Sequence, residues 1–131
     1  MDSLTPIGWM AMVMLGGALG CLLRHLLYVF IERKVQPNWP LGTLAVNITG
    51  SFVIGLLFGL HQAQVIGDYA NVLLVGGVCG AYTTFSSFCA DEIRLLREGK
   101  RLAALVVLIL TIPGCIAMAG LGLALVSHFF G

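Results

Sequence analysis

Four apolar stretches, each long enough to cross a bilayer, set the limits on what this chain can become. Ile7 to Ile31 is apolar apart from Arg24 and His25, Leu41 to Leu60 carries no charge, Tyr69 to Ala90 is uncharged, and Leu102 to Ser127 is the fourth. A helix needs about 20 such residues to span the hydrocarbon. The expected fold class is therefore an all-α membrane protein, one domain over residues 1–131, with helices at about 7–31, 41–60, 69–96 and 102–127. Composition excludes the soluble alternative. At 131 residues a globule leaves much of its surface in water, and a mean hydropathy of +0.99 with 59% hydrophobic and 10% charged residues gives that surface too little polarity. A net charge of +1 provides no basic field for nucleic acid.

The connections carry turn chemistry. Residues 36–40 (Gln-Pro-Asn-Trp-Pro) precede the second helix, with Trp39 at an interfacial position, and residues 61–68 precede the third. The amino terminus offers Asp2 in place of a basic n-region, so the first apolar run is expected to stay in the mature protein. Cys21, Cys79, Cys89 and Cys115 lie in apolar segments without C-x-x-C spacing and are expected to be small buried hydrophobes. Every helix has a pair of small residues four apart, Gly16/Gly20, Gly55/Gly59, Gly76/Gly80 and Gly120/Ala124, which suits close helix packing in lipid.

All seven basic residues fall in two places: Arg24, Arg33 and Lys34 before the second helix, and Arg94, Arg97, Lys100 and Arg101 between the third and fourth. In a four-span topology both places share one side, which the positive-inside rule makes cytoplasmic. Asp91/Arg94 and Arg94/Glu98 sit at helical spacing, which reads as a solvated extension of the third helix.

Polar groups at membrane depth are costly and so informative. In the second helix Thr43, Asn47 and Ser51 recur every four residues, a stripe that serves either helix–helix hydrogen bonding or a pathway. In the third, residues 83–88 (Thr-Thr-Phe-Ser-Ser-Phe) follow Gly76, Gly77 and Gly80, a combination expected to break the helix. Freed carbonyls and amides are tolerated in a membrane only where they meet protein, an ion or a wet cavity. The six acids, Asp2, Glu32, Asp68, Asp91, Glu92 and Glu98, all fall outside the apolar runs, which disfavours cation or proton coupling. What remains is a set of neutral donors beside Phe85 and Phe88, whose ring edges are electropositive, and that environment suits a small anion.

These residues form a recognisable pattern: Gly16-Gly17-x-x-Gly20-x-x-x-Arg24 in the first helix, Pro40-Leu41-Gly42-Thr43-Leu44-x-Val46-Asn47-x-x-Gly50-Ser51-Phe52 in the second, and Gly80-x-x-Thr83-Thr84-Phe85-Ser86-Ser87-Phe88 in the third. The pattern resembles the Fluc (CrcB) family of fluoride channels. The resemblance implies no enzyme but a passive fluoride channel in the cell membrane, built as an antiparallel, dual-topology dimer with two pores at the interface. It implies a pore lined by Asn47, Phe85 and Phe88, with Thr84 and Ser87 completing a polar track, to which the stripe residues Thr43 and Ser51 and the fourth-helix Thr111 are added. It further implies a structural sodium ion (Na+) on the two-fold axis, held by backbone carbonyls of Gly80 and Thr83, and Arg24 in an aqueous vestibule.

Some positions depart from the family pattern. His25 follows the arginine, Tyr82 is large, Ser87 replaces the more usual threonine, and the fourth helix, which in the family often supplies a tyrosine and hydroxyls, offers only Thr111 before Pro113, with Val107 one turn earlier. Pro113 is expected to kink that helix. The partners implied are fluoride, lipid and a second antiparallel copy, or, since the Lys/Arg bias opposes dual insertion, an oppositely oriented paralogue. A small four-helix drug or cation antiporter and a non-conducting scaffold are the rival functions. The first calls for an embedded glutamate, and the second leaves the hydroxyl–phenyl cluster without a purpose.

Overall fold

The computed structural model describes residues 4–35 and 39–131. The acid Asp2 and the turn residues 36–38 lie outside the described residues. The chain forms four helical spans, Pro6–Lys34, Leu41–Gln62, Asp68–Arg97 and Arg101–Phe130. At 1.5 Å per residue the 29-residue first helix is about 44 Å long, more than the roughly 30 Å of hydrocarbon, so its charged end projects into the headgroups. Its start is fixed by Thr5, whose side chain accepts a hydrogen bond from the Gly8 amide, and by Pro6 in the first turn. Arg33 and Lys34 close its last turn, where cations complement the helix dipole.

The second helix packs chiefly on the fourth, and the first on the third. Glycines make both crossings close. A Cβ on Gly55 would collide with the Ala119 carbonyl, and one on Gly122 with the Phe52 carbonyl. In the other crossing, a Cβ on Gly20 would strike the Val78 carbonyl, and one on Gly16 would lie 3.1 Å from the Gly77 Cα. The expected small-residue pairs are thus used in the first two helices and displaced in the others. Gly77 and Gly122 make the contacts, whereas nothing lies near Gly76 or Gly120, and Gly80 faces only the Val75 carbonyl of its own helix. In the third span the displacement has a cause: Val72–Cys79 is π-helical, and its wider turns rotate the packing face away from the 3.6-residue spacing.

The third span leaves helical dihedrals at two residues. Thr83 has ψ 156° and Thr84 has φ −148°, ψ 119°, between the short helix Gly80–Tyr82 and the longer Phe85–Arg97. The Thr83 amide and hydroxyl both donate to the Cys79 carbonyl, each at 3.1 Å, which ends the first helix. Thr84 caps the second, its Oγ1 accepting from the Ser87 amide at 3.2 Å. Gly50 leaves room for this segment, because a Cβ there would run into the Thr83 methyl. The fourth helix continues through Pro113.

The two sides of the bundle differ. On one, the Lys100 ammonium lies 2.8 Å from Glu98 beside the positive-φ Gly99, and it holds the Glu98 carboxyl below the usual carboxylate range. On the other, His61 Nε2 lies 3.6 Å from Asp68, and Trp9 stacks on Tyr69 with ring centroids 5.0 Å apart. One expectation needs correction. Cys79 is buried, but Cys21 is exposed and Cys89 and Cys115 are half-buried, so the cysteines are not uniformly core residues. Asp91 and Glu92 lie on the helix Phe85–Arg97, which continues the third span past its uncharged run as the 69–96 reading has it.

Candidate functional site

The site is organised around Asn47, which is 7% exposed on the second helix. Its Nδ2 donates to the Thr84 carbonyl at 2.8 Å and its Oδ1 accepts from the Thr84 amide at 2.7 Å. One side-chain amide thereby satisfies both main-chain groups of a residue in extended conformation, the groups left open where the helix stops. One Nδ2 hydrogen remains for another acceptor, since an amide nitrogen carries two. Asn47 thus holds the interrupted backbone in place and can also donate into the space beside it.

That space is a cavity of about 330 Å³, lined by Asn47, Ser51, Thr83, Thr84, Phe85, Thr111 and Cys115 together with isoleucines. Thr111 is 6% exposed and its Oγ1 has no hydrogen-bond partner, although an unpaired buried hydroxyl is disfavoured by about 1–3 kcal/mol. Phe85 is 70% exposed on the flank of the chain, and Phe88 only 4%, packed with Leu95, Ala104 and Val107. Their ring centroids are 5.6 Å apart at 44°. Ser87 belongs to the capping network, where its Oγ accepts from Thr84 Oγ1 at 3.1 Å.

The Thr43–Asn47–Ser51 stripe therefore faces the third span and the fourth helix along its length. At its Thr43 end the hydroxyl donates to Asp91 Oδ2 at 2.7 Å, and Arg94 lies 3.4 Å from the other carboxylate oxygen. These groups adjoin a second cavity, of about 420 Å³, lined by Tyr28, Glu32, Trp39, Gly42, Asp91 and Arg94. Thr43 lies between this cavity on the basic side and Asn47, one turn further along the second helix. Asp91 escaped the sequence reading because its spacing to Arg94 marks a solvated face, whereas its side chain is only 14% exposed. Its signal was the facing hydroxyl of Thr43.

Arg24 stands apart from the Asn47 group. Its Nη2 lies 3.8 Å from Cys21 Sγ, which approaches the Ala81 carbonyl at 4.0 Å, beside the segment that carries Gly80 and Thr83. Tyr82, the large residue in that segment, meets Thr49 with oxygen atoms 2.8 Å apart. Among the described residues no group of three His, Cys, Asp or Glu side chains is placed to hold a metal.

The molecule thus combines donors without acidic groups around the Asn47 cavity, a clasped extended segment and four membrane-length helices. Residues 11–123 match the family model described as CrcB-like protein, Camphor Resistance (CrcB). The chain belongs to the CrcB family. It is 41% identical over 118 residues to the fluoride-specific ion channel FluC of Pseudoalteromonas translucida, covering 89% of this chain and 98% of that one. It is 37% identical over 115 residues to a protein of the same name from a Shewanella species, covering 88% and 93%. A third, from Methylobacterium radiotolerans, is 36% identical over 123 residues, covering 92% and 85%. With its four spans, this CrcB family member is a multi-pass membrane protein.

Proposed function

We propose that this chain is a fluoride-selective passive channel that lets fluoride leave the cytoplasm, and that its conduction path is the Asn47 cavity. One observation carries the reading: amide and hydroxyl donors of Asn47, Ser51 and Thr111 meet the Phe85 ring in a cavity whose lining contains no carboxylate. Neutral donors fixed in place replace an anion's hydration shell without trapping it by full charge, and positive ring edges favour the same sign. Asp91 does not turn the path into one for cations. Its charge is engaged by Thr43 and Arg94 at one end, outside the cavity. An antiporter would need a free acid at the binding site, and a scaffold has no use for an unpartnered Thr111 hydroxyl. Expression in a bacterium lacking its own fluoride export is expected to restore growth at inhibitory fluoride. Membrane-inserted protein without rescue would count against the reading.

Two copies assemble antiparallel in this proposal and complete two pores. Phe85 and the Gly80 face, both exposed on one protomer, supply the meeting surface. The Gly80 and Thr83 carbonyls of each copy would hold a sodium ion, which supplies a fixed positive charge at the centre. The fit rests on hard carbonyl donors and on Thr83 leaving helical dihedrals, so that the main chain there is not committed to a continuing helix. Arg24 near Ala81 lines the vestibule at this level.

The seven Lys and Arg residues on one side oppose insertion in both directions. A tag on one terminus of this chain, expressed alone, is expected to be labelled from both faces of intact membranes. One-sided labelling with no conduction would instead identify an oppositely oriented paralogue as the partner, and one-sided labelling with conduction would exclude the antiparallel dimer.

A further inference from the structure

Thr111 and Cys115 stand one turn apart on the fourth helix, so they share a face, and both line the Asn47 cavity. Asn47, Ser51 and Thr111, whose buried hydroxyl has no hydrogen-bond partner, give this part of the cavity its polar side chains. The Cys115 thiol beside it is free and half-buried. Thiols react as thiolates, and a thiolate forms where water can take its proton and not where the surroundings are apolar. We propose that Cys115 is a covalent modification site in the conduction path, open to small thiol-directed electrophiles, and that its modification shuts the channel. This rests on the reading of the cavity as the path for fluoride.

The other three thiols differ. Cys79 is buried, Cys89 packs against the Phe88–Leu95 cluster, and Cys21 projects from the exposed flank of the first helix near the Ala81 carbonyl. Cys115 lines the Asn47 cavity together with the polar side chains of Asn47, Ser51 and Thr111. With methyl methanethiosulfonate as the reagent, Cys115 releases its proton to water and its thiolate attacks the methylthio sulfur. A disulfide bond forms, the S–SO2 bond breaks, and methanesulfinate leaves with the electron pair. The methylthio group then occupies the space between Thr111, Ser51 and Asn47.

The test uses the full chain in liposomes, treated with methyl methanethiosulfonate and followed by peptide mass spectrometry and by fluoride efflux. The expected result is an adduct on Cys115 and loss of efflux, both reversed by dithiothreitol. In Cys115→Ser and Cys115→Ala, with the other three cysteines in place, the efflux that each variant shows before treatment is expected to be unchanged by the reagent. An unmodified Cys115, an adduct that leaves efflux intact, or inhibition that survives in both variants overturns the proposal. Efflux that is absent before treatment removes the channel reading instead, and in that case the mass of the Cys115 peptide still decides whether the thiol is in a wet site.

Discussion

Asn47→Asp is expected to abolish fluoride flux and to lower stability, although the side-chain volume barely changes. The carboxylate accepts from the Thr84 amide as Oδ1 does now, but it has no hydrogen to give to the Thr84 carbonyl, 2.8 Å from the present Nδ2. Leaving that buried acceptor unpaired costs about 1–3 kcal/mol. The new negative charge also lies beside the cavity through which an anion would pass, with no basic side chain among the cavity's lining residues. Fluoride efflux and the thermal midpoint of the purified protein, compared with the native chain, are the measurements. Normal efflux from a folded Asp variant would reduce Asn47 to a packing residue.

The two phenylalanines should lose function by different routes, which allows stability and conduction to be separated. Phe85 is 70% exposed, so Phe85→Ile is expected to leave the protomer's stability nearly unchanged. Phe88 is 4% exposed among Leu95, Ala104 and Val107, and truncation to alanine there would cost about 3–5 kcal/mol. The informative change is therefore Phe88→Met, which conserves volume and costs less than about 1.5 kcal/mol. Phe85→Ile removes the ring that lines the Asn47 cavity, and Phe88→Met removes the buried ring packed 5.6 Å from it. Each is expected to cut fluoride efflux by about tenfold or more, equivalent to about 1.4 kcal/mol in the barrier, while the protein stays folded. Unchanged efflux in both variants would show that the ring pair serves packing alone.

The spans were legible because their signal is length and hydropathy, and neither depends on tertiary detail. The finer register was less so. Gly16 and Gly20 lie on the packing face that their spacing indicates, but the partner glycine on the third span is Gly77, since the π-helical Val72–Cys79 segment rotates what a regular helix would present. The stripe Thr43–Asn47–Ser51 was visible as a face, yet what it faces was not. Asn47 pairs with the main chain of Thr84, and side-chain identities carry no signal for a backbone partner 37 positions away. Asp91 was hidden by a charge pattern that reads as solvated, and Cys115 by its apolar neighbours. In both cases only the facing helix, with Thr43 or with the Asn47 cavity, reveals the polar surroundings.

If a neutral, donor-lined path conducts fluoride passively and selectively, fluoride must move down its own gradient, carry net charge and outpace chloride. Purified protein in liposomes loaded with potassium fluoride, with external fluoride followed by electrode, tests it most directly. The account predicts rapid fluoride efflux once a potassium ionophore allows charge to balance, little efflux without it, and far slower efflux of chloride under the same conditions. Chloride efflux as fast as fluoride, or fluoride movement that ignores the potassium ionophore and follows a proton gradient, would contradict it.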